Sequence, residues 1–224
     1  MFLKYHKIAM IGEGVTGLSV HQALQNHDCK VDLMSIKTKH EWRDLVTKTS
    51  SGNYDLIVVS PGIPDNSHLN EIRDAGVRIM SDIELFSYMS DTPIIAITGT
   101  NGKTTCACWL QRLLDSKYHT ITVGNIGKPI FDILDDADTY DFIILEISSF
   151  QLHYTSQLPV RLACLLNLST DHLDWHTSLD HYHQSKWRIG DCADDAISHE
   201  ALSHEKSWHK FGYETQSAEI TKLI

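Results

Sequence analysis

The segment Ile94–Thr105 constrains this chain more than any other, because it predicts a buried strand, a glycine-rich turn and a helix in direct succession. Its four apolar residues Ile94–Ile97, three of them β-branched, are typical of an interior strand. Free N–H groups at the start of the following helix form an anion site. Lys103 adds a positive charge there, and Thr104 adds a hydroxyl that suits Mg²⁺, so the predicted anion is a nucleotide triphosphate.

The match of this segment to a phosphate-binding loop is imperfect. The generic pattern requires a glycine five residues before Gly102, and this chain has Ile97 at that position. The alternative interpretation is a strand–turn–helix corner that carries an incidental lysine. We favour the nucleotide site, because glycines, lysine and hydroxyl all fall at the junction of strand and helix.

A second glycine-rich turn lies near the N-terminus. Strand Lys7–Ile11 leads into Gly12–Gly17, which has the spacing G-x-G-x-x-G, and a helix is predicted over Leu18–Gln25. In this context the turn indicates a cradle for a phosphate or pyrophosphate. An NAD site would need an acidic residue at the end of the next strand, Val31–Met34, but the first acid beyond it is Glu41. The sequence therefore favours a sugar-nucleotide diphosphate over NAD, and a turn that binds nothing is the remaining alternative.

Strands and helices alternate along the first ninety or so residues, which predicts a parallel sheet covered on both faces. The polar segment Asp91–Pro93 precedes the strand of the phosphate loop and marks the expected hinge. We therefore predict an α/β chain with two domains. A Rossmann-like domain spans residues 1–91, and a P-loop ATPase-type domain spans residues 92–224.

Polar side chains follow the ends of two further predicted strands. Strand Phe142–Glu146 ends in a carboxylate, and strand Leu162–Asn167 is followed by His172 between Asp171 and Asp174. In open parallel sheets, ligands bind at the carboxyl ends of the strands. The sequence therefore predicts Mg²⁺ ligands here. The alternative is an exposed glutamate and a solvated loop.

The last part of the chain gives weaker signals. A helix is predicted from about Ser178 to Ile189 and carries Lys186, a residue that on its own is usually solvated. The acidic segment Gly190–Ala196 predicts a turn, and Trp208–Tyr213 predicts one short strand.

Composition and charge exclude several classes of protein. The net charge of −10 argues against a binder of nucleic acid or of anionic membranes. No run approaches the ~18 apolar residues of a membrane helix, and Met1–Lys7 lacks the apolar core of a signal peptide. The five cysteines have no metal-type spacing and fit a reducing compartment. We expect a cytoplasmic monomer that acts on small molecules.

Taken together, the motifs resemble the Mur ligase family of bacterial peptidoglycan synthesis, and most closely its D-glutamate-adding branch. They occur in the order of that family across roughly the first 190 residues. The run Thr98–Thr105 is highly specific to the superfamily and explains the failed match to the generic loop. The segments that carry the resemblance are Gly12–Gly17, Ser60–Ile63, Ser81–Glu84, Thr98–Thr105, Gly124–Gly127, Glu146–Gln151, Asn167 with Asp171–Asp174, and Lys186.

The resemblance implies a role for each of these groups. The ATP phosphates would be bound by Gly99, Thr100, Asn101, Gly102, Lys103, Thr104 and Thr105. A UDP-sugar substrate would be bound by Gly14, Val15, Thr16, Gly17, Asn125, Ser148 and Gln151. Thr104 and Glu146 would hold one Mg²⁺, while His172 and Lys186 would serve a second. Lys186 would do so as a carbamate made from CO₂, which turns a cation into an oxygen ligand.

The resemblance also implies a reaction. An ATP-dependent ligase would join D-glutamate to UDP-N-acetylmuramoyl-L-alanine through an acyl phosphate, with Lys103, His172 and Lys186 as the catalytic residues. Catalysis would rest on positioning and on charge neutralisation. Two features of the family are missing from these 224 residues: a third, C-terminal domain, and a hydrophobic strand just after Ile189. The alternatives are therefore a catalytically incomplete UDP-sugar- or nucleotide-binding module and, resting on Gly12–Gly17, an NAD(P)-dependent oxidoreductase.

Overall fold

The computed structural model describes residues 7–27, 29–191, 193–199, 201–202 and 208–211. Its strands are β1 Lys7–Ile11, β2 Lys30–Met34, β3 Leu56–Val59, β4 Arg78–Met80, β5 Ile94–Thr98, β6 Thr120–Gly124, β7 Phe142–Glu146, β8 Val160–Leu165, β9 Ala193–His199 and β10 His209–Phe211. Its α-helices are α1 Val15–Asn26, α2 Lys39–Ser50, α3 Ser67–Asp74, α4 Asp82–Phe86, α5 Lys103–Leu114, α6 Ser149–His153 and α7 Leu179–Trp187. Two 3₁₀ helices span Ile130–Thr139 and Arg188–Asp191.

The described residues divide into two compact units, one ending at Ser90 and the other beginning at Asp91. The short segment Pro129–Asp135 groups with the first unit, in which Phe131 packs edge-on against Phe86. The domain limits 1–91 and 92–224 remain a prediction. None of the helices among the described residues has the length and apolar character needed to span a bilayer.

The first unit is built on a four-stranded parallel sheet with the order β2-β1-β3-β4. The two central strands, β1 and β3, are almost wholly buried because helices cover both faces of a parallel sheet. This confirms the α/β prediction for this part of the chain. Gly12 ends β1 with a φ of +108°, which favours glycine, and its N–H donates to the Met34 carbonyl at 2.8 Å.

Gly17 is needed for a different reason from Gly12. A Cβ added to Gly17 would lie 1.8 Å from the Gly12 carbonyl oxygen, so only glycine lets α1 approach the end of β1 this closely. At the end of β2, the carboxylate of Glu41 accepts hydrogen bonds from the N–H groups of Lys37 and Thr38, in a capping box that starts α2. Glu41 is thus committed to a helix start, and β2 carries no acid at its end of the kind an NAD site would need.

The second unit is built on a six-stranded parallel sheet with the order β10-β9-β8-β5-β7-β6. The strand of the phosphate loop, β5, is fully buried and lies between β7 and β8. One neighbour of β5 is β7, which ends in Glu146. The other is β8, which is followed by the segment from Asn167 to His172. This register brings the three predicted polar segments to one edge of the sheet.

The sequence prediction was wrong for residues 190–196. Gly190 and Asp191 end a 3₁₀ helix, and β9 begins at Ala193 and pairs with β8 and β10, so a strand does follow Ile189, although it is not a hydrophobic one. Its acidic residues made it look turn-like. In the structure, Asp194 pairs with Arg161 of β8 at 3.2 Å and Asp195 lies 3.9 Å from His209 of β10, so the charges sit between strands.

Part of this region lies outside the described residues. Cys192, which the predicted turn included, is one such residue, and so are Gly212 and Tyr213 at the end of the predicted strand Trp208–Tyr213. The described part of that strand is β10, His209–Phe211, which confirms a strand there. Met1–His6 also lie outside the described residues.

Candidate functional site

The phosphate loop joins β5 to α5 as the sequence predicted. Gly102 adopts a φ of +82° at the N-cap of α5, and no side chain caps that helix end. The first N–H groups of α5 therefore have no side-chain acceptor, which is the arrangement that binds anions. The Lys103 ammonium folds back onto the loop and donates to the Gly99 and Thr100 carbonyls at 3.0 Å each.

The predicted Mg²⁺ ligands Thr104 and Glu146 are in direct contact. The Thr104 hydroxyl donates to Glu146 Oε2 at 2.7 Å, and Asn125 Nδ2 donates to Glu146 Oε1 at 3.0 Å. The Glu146 side chain is buried at the end of β7, so its carboxylate is held in place by these two partners. A hydroxyl beside a carboxylate is an oxygen pair that fits Mg²⁺, which takes one or two protein ligands and completes its shell with phosphate oxygens and water.

Asn167, which carried no assigned role, clamps the phosphate loop. Its Oδ1 accepts from the Asn101 N–H at 2.9 Å, its Nδ2 donates to the Asn101 carbonyl at 3.0 Å, and its own carbonyl accepts from the Thr100 N–H at 3.0 Å. The segment after β8 is thus fastened to the loop at two consecutive residues. These bonds leave the conformation of residues 100–101 little freedom.

Tyr182 is a functional candidate that the sequence analysis missed. Its hydroxyl lies 2.9 Å from Thr100 Oγ1, and its fully buried ring lies 5.0 Å from the Lys186 ammonium. Tyr182 and Lys186 are four residues apart on α7 and therefore share a helix face. That spacing is the one sequence signal that could have linked the tyrosine to the predicted site.

Lys186 is buried beneath the phosphate loop and is not the solvated helical lysine that its sequence position alone suggests. Its Nζ donates to the Gly99 carbonyl at 2.9 Å and to Thr98 Oγ1 at 3.4 Å. Burial and the nearby Lys103 charge lower the pKa of Lys186 to about 7. A large share of the amine is therefore neutral near pH 7, and only a neutral amine can react with CO₂.

His172 lies in the loop after β8, with a φ of +52° that is uncommon for a residue other than glycine. Its side chain is about half exposed, and Nε2 lies 3.5 Å from Asp171 Oδ2. The imidazole packs against Phe150 at a ring distance of 4.7 Å and against Tyr182 at 6.0 Å. His172 and Lys186 therefore both contact the Tyr182 ring. Among the described residues, no group of three or more His, Cys, Asp or Glu side chains is arranged to hold a metal ion.

The remaining predicted substrate residues are placed as follows. Ser148 and Gln151 form a capping box at the start of α6, in which the Ser148 N–H and hydroxyl both donate to Gln151 Oε1. Asn125 is the partner of Glu146 described above. In the first unit, Gly14 is the N-cap of α1 with no side-chain cap, and the following Val15 is largely exposed.

Three histidines and a serine form a hydrogen-bonded chain beside this region. His176 Nε2 lies 3.0 Å from Ser149 Oγ, His176 Nδ1 lies 3.3 Å from His181 Nδ1, and His181 Nε2 lies 3.1 Å from His153 Nδ1. One set of neutral tautomers satisfies every link, with each group donating to the next. The chain ties α6 to α7 and to the loop that contains His172.

We expect His176 to make the stability of the folded protein sensitive to acid. Burial, together with the charges of His181 and His153, lowers the pKa of His176 from 6.5 to about 4. As the pH falls, His176 is therefore protonated in the unfolded state at a higher pH than in the folded state. The free energy of unfolding should fall by roughly 2–3 kcal/mol as the pH drops from about 6.5 to about 4. Urea unfolding across this range should show a flatter pH profile for His176→Gln. An unchanged slope in the variant would contradict the assignment.

Several known proteins are similar in sequence to this chain. Residues 97–211 match the family model described as the Mur ligase middle domain. A UDP-N-acetylmuramoylalanine–D-glutamate ligase of Saccharophagus degradans is 36% identical over 203 residues, which is 81% of this chain and 44% of that protein. The ligase of the same name from Vibrio cholerae is 37% identical over 206 residues, or 85% of this chain and 46% of that protein. The chain thus spans less than half the length of these relatives.

A solved structure is also similar to part of this chain. A pseudomurein peptide ligase type C from Methanothermus fervidus aligns with 86% of this chain and 44% of its own, at 21% identity and a TM-score of 0.42.

Proposed function

The chain belongs to the Mur ligase family, whose middle-domain model covers residues 97–211, and from that premise we propose that it is the nucleotide- and substrate-binding part of an ATP-dependent ligase. The reaction we propose is the addition of D-glutamate to UDP-N-acetylmuramoyl-L-alanine, in peptidoglycan synthesis. The names of the relatives at 36–37% identity support this choice of substrates. We further propose a cytoplasmic protein that acts as a monomer.

One observation carries the proposal: the contact between Thr104 and Glu146 at the opening of α5. The hydroxyl and carboxylate are 2.7 Å apart, beside helix N–H groups that no side chain caps and within the same loop as Lys103. Anion-binding amides, an ammonium and an oxygen pair for Mg²⁺ are the parts required to bind a nucleotide triphosphate. A strand–turn–helix corner without a ligand would not need Glu146 buried and oriented.

In this proposal the residues act mainly by positioning. The loop Gly99–Thr105 holds the phosphates, and Lys103 neutralises charge on the γ-phosphate as the substrate carboxylate attacks it. Glu146 and Thr104 would hold one Mg²⁺, with His172 and carbamylated Lys186 serving a second. When bound, the ions would neutralise phosphate charge. The attack of the carboxylate releases ADP and leaves an acyl phosphate. The amine of D-glutamate then attacks the acyl carbon, which forms the amide bond and releases phosphate and a proton.

For the UDP-sugar we propose two groups of residues. In the first unit, the turn Gly14–Gly17 offers uncapped N–H groups at the start of α1, which fits a diphosphate. In the second unit, Asn125, Ser148 and Gln151 would contact the sugar part, although each also makes hydrogen bonds within the protein.

The test uses this chain with Mg-ATP, UDP-N-acetylmuramoyl-L-alanine and D-glutamate. Calorimetry should show binding of Mg-ATP and of the UDP-sugar, and phosphate release should require both the UDP-sugar and D-glutamate. Failure of Mg-ATP to bind would overturn the proposal. Binding of both ligands without phosphate release would favour the catalytically incomplete module, and tight binding of NAD or NADP would favour the oxidoreductase.

The lowered pKa of Lys186 predicts carbamate formation near neutral pH. Because this pKa is about 7, the neutral amine should become dominant as the pH rises through 7. An ordinary lysine stays protonated until about pH 10.4. With ¹³C-labelled CO₂, the carbamate NMR signal should therefore rise most steeply between about pH 6 and 8, and Lys186→Met should abolish it. A signal that survives in Lys186→Met would place the carbamate elsewhere.

A further inference from the structure

We propose that a lysine-lined cavity in the first unit binds a phosphorylated sugar or polyol. The cavity has a volume of about 390 Å³ and is lined by Lys7, Lys30, Asp32, Lys48, Asn53 and Tyr54. Lys7 and Lys30 are the first residues of β1 and β2, whereas Gly12–Gly17 follow the other end of β1. The cavity therefore lies at the opposite edge of this sheet from the turn proposed for the UDP-sugar, and its ligand is additional to the proposed function.

Three lysines reach this cavity from three different elements. Lys7 and Lys30 are register partners on neighbouring parallel strands, and Lys48 lies in the last turn of α2. Like charges side by side on neighbouring strands repel each other, which costs stability unless an anion compensates. Lys48 pairs with Asp44 at 2.8 Å, but the part of the chain that the structure describes contains no ion pair for Lys7 or Lys30. A bound anion would supply a countercharge for both.

The kind of cation in the cavity favours a phosphate over a carboxylate as the anion. The described residues that line it include lysines and no arginine. The planar fork of arginine matches the two oxygens of a carboxylate, whereas lysine acts as a point charge and is a common ligand of phosphate. A phosphate monoester has three terminal oxygens, so it can accept hydrogen bonds from lysines that approach from different directions. The net charge of −10 opposes any anion at long range, so these local charges must provide the binding.

The other lining residues suit the hydroxyl groups of a sugar or polyol. Tyr54 is buried, and its hydroxyl donates to Asp32 Oδ2 at 2.7 Å, which fixes the carboxylate. Asp32 Oδ1 accepts no hydrogen bond from the residues that the structure describes, so it can accept one from a ligand hydroxyl. A carboxylate would only repel free phosphate, so Asp32 favours a ligand that carries hydroxyls as well. The volume of about 390 Å³ lies within the range of pockets that bind small organic molecules.

A titration followed by amide NMR signals tests this cavity in the folded chain. The probes are glucose 6-phosphate and inorganic phosphate, each added at constant ionic strength. We expect the signals of Lys30, Asn53 and Tyr54 to shift together and to saturate, with a Kd of about 1 mM or lower for glucose 6-phosphate. Inorganic phosphate should bind at least about threefold more weakly, because it brings no sugar hydroxyl to Asp32.

Three variants assign the contacts. Lys30→Met should weaken binding of glucose 6-phosphate at least about fivefold, since it removes a charge-assisted hydrogen bond. Asp32→Asn keeps an acceptor for the Tyr54 hydroxyl but removes the negative charge and the acceptor for the ligand. It should strengthen binding of inorganic phosphate and abolish the preference for glucose 6-phosphate. Lys39→Met, at the exposed start of α2, is the matched control and should change both affinities by less than about twofold.

Contrary results would overturn the site or the choice of ligand. Signals that do not saturate at millimolar glucose 6-phosphate, or equal weakening by Lys30→Met and Lys39→Met, would overturn the site. Equal affinity for the two probes, or a preference that survives Asp32→Asn, would overturn the assignment of a phosphorylated sugar or polyol. The signals of Gly99–Thr105 report the phosphate loop separately, so failure of the proposed function would leave this test intact.

Discussion

Replacing Lys103 with Met is expected to weaken Mg-ATP binding by at least about 100-fold, the largest loss among single changes at the loop. The ammonium lies at the start of α5, 3.0 Å from the Gly99 and Thr100 carbonyl oxygens. The start of α5 is where the phosphate oxygens of the nucleotide would bind. A charge-assisted hydrogen bond is worth roughly 1.5–3 kcal/mol, and several phosphate contacts act together. Met keeps the unbranched apolar stem, so packing is preserved. Calorimetry on the folded variant measures the loss.

Lys117→Met is the matched control for this change. Lys117 is an exposed residue just after α5, and its ammonium lies 4.9 Å from the Tyr118 ring centre. Its loss should alter Mg-ATP affinity by less than about twofold, since screening leaves a distant surface charge little influence. Equal losses in both variants would mean that Lys103 acts only through overall charge.

Gly124→Ala should produce a large loss of stability. Gly124 ends β6 with a φ of +107°, and an added Cβ would lie 2.3 Å from the Glu146 carbonyl oxygen and 2.7 Å from Leu145 Cδ1. Backbone strain of this kind costs about 1–3 kcal/mol, and overpacking adds a similar amount. We expect the free energy of unfolding to fall by roughly 3–5 kcal/mol, measured by urea unfolding. Mg-ATP binding should also suffer, because Glu146 must shift.

Gly127→Ala separates strain from collision. Gly127 also has a positive φ, +65°, but an added Cβ would meet nothing within 4 Å. Gly127→Ala should lower the free energy of unfolding by only about 1 kcal/mol, because the left-handed conformation of alanine is the only unfavourable change. If the two alanines destabilise the chain equally, the collision with the backbone of β7 is not the cause.

Much of the fold could be predicted because buried parallel strands leave an unmistakable pattern. Ile94–Ile97 and Phe142–Leu145 are apolar runs that end in polar residues, and both are strands with those polar residues at one edge of the sheet. β9 was not predicted because it lies next to the edge strand β10, is only partly buried and carries charged residues. Asp194 and Asp195 are typical of turns in isolation, and only their cross-strand partners Arg161 and His209 reveal their positions.

In the candidate site too, features formed by adjacent residues could be predicted, whereas contacts between residues far apart in the sequence could not. The phosphate loop was predicted, because its glycines, lysine and threonine are adjacent in the chain. The burial of Lys186 could not be read from its own segment, since it depends on contact with Gly99, 87 residues away. Tyr182 and the Asn167 clamp were missed for the same reason: each acts on residues more than sixty positions distant.

The carbonyl of Gly99 accepts hydrogen bonds from both Lys103 and Lys186. If the chain binds a nucleotide as proposed, the phosphates would compete with these carbonyl oxygens for the Lys103 ammonium, and breaking its hydrogen bonds would lower the apparent affinity. A carbamate on Lys186 would remove its positive charge and with it the repulsion between the two ammonium groups that share the Gly99 carbonyl. The proposed carbamate would put a negative charge near Lys103 and would therefore change how firmly the loop holds that ammonium.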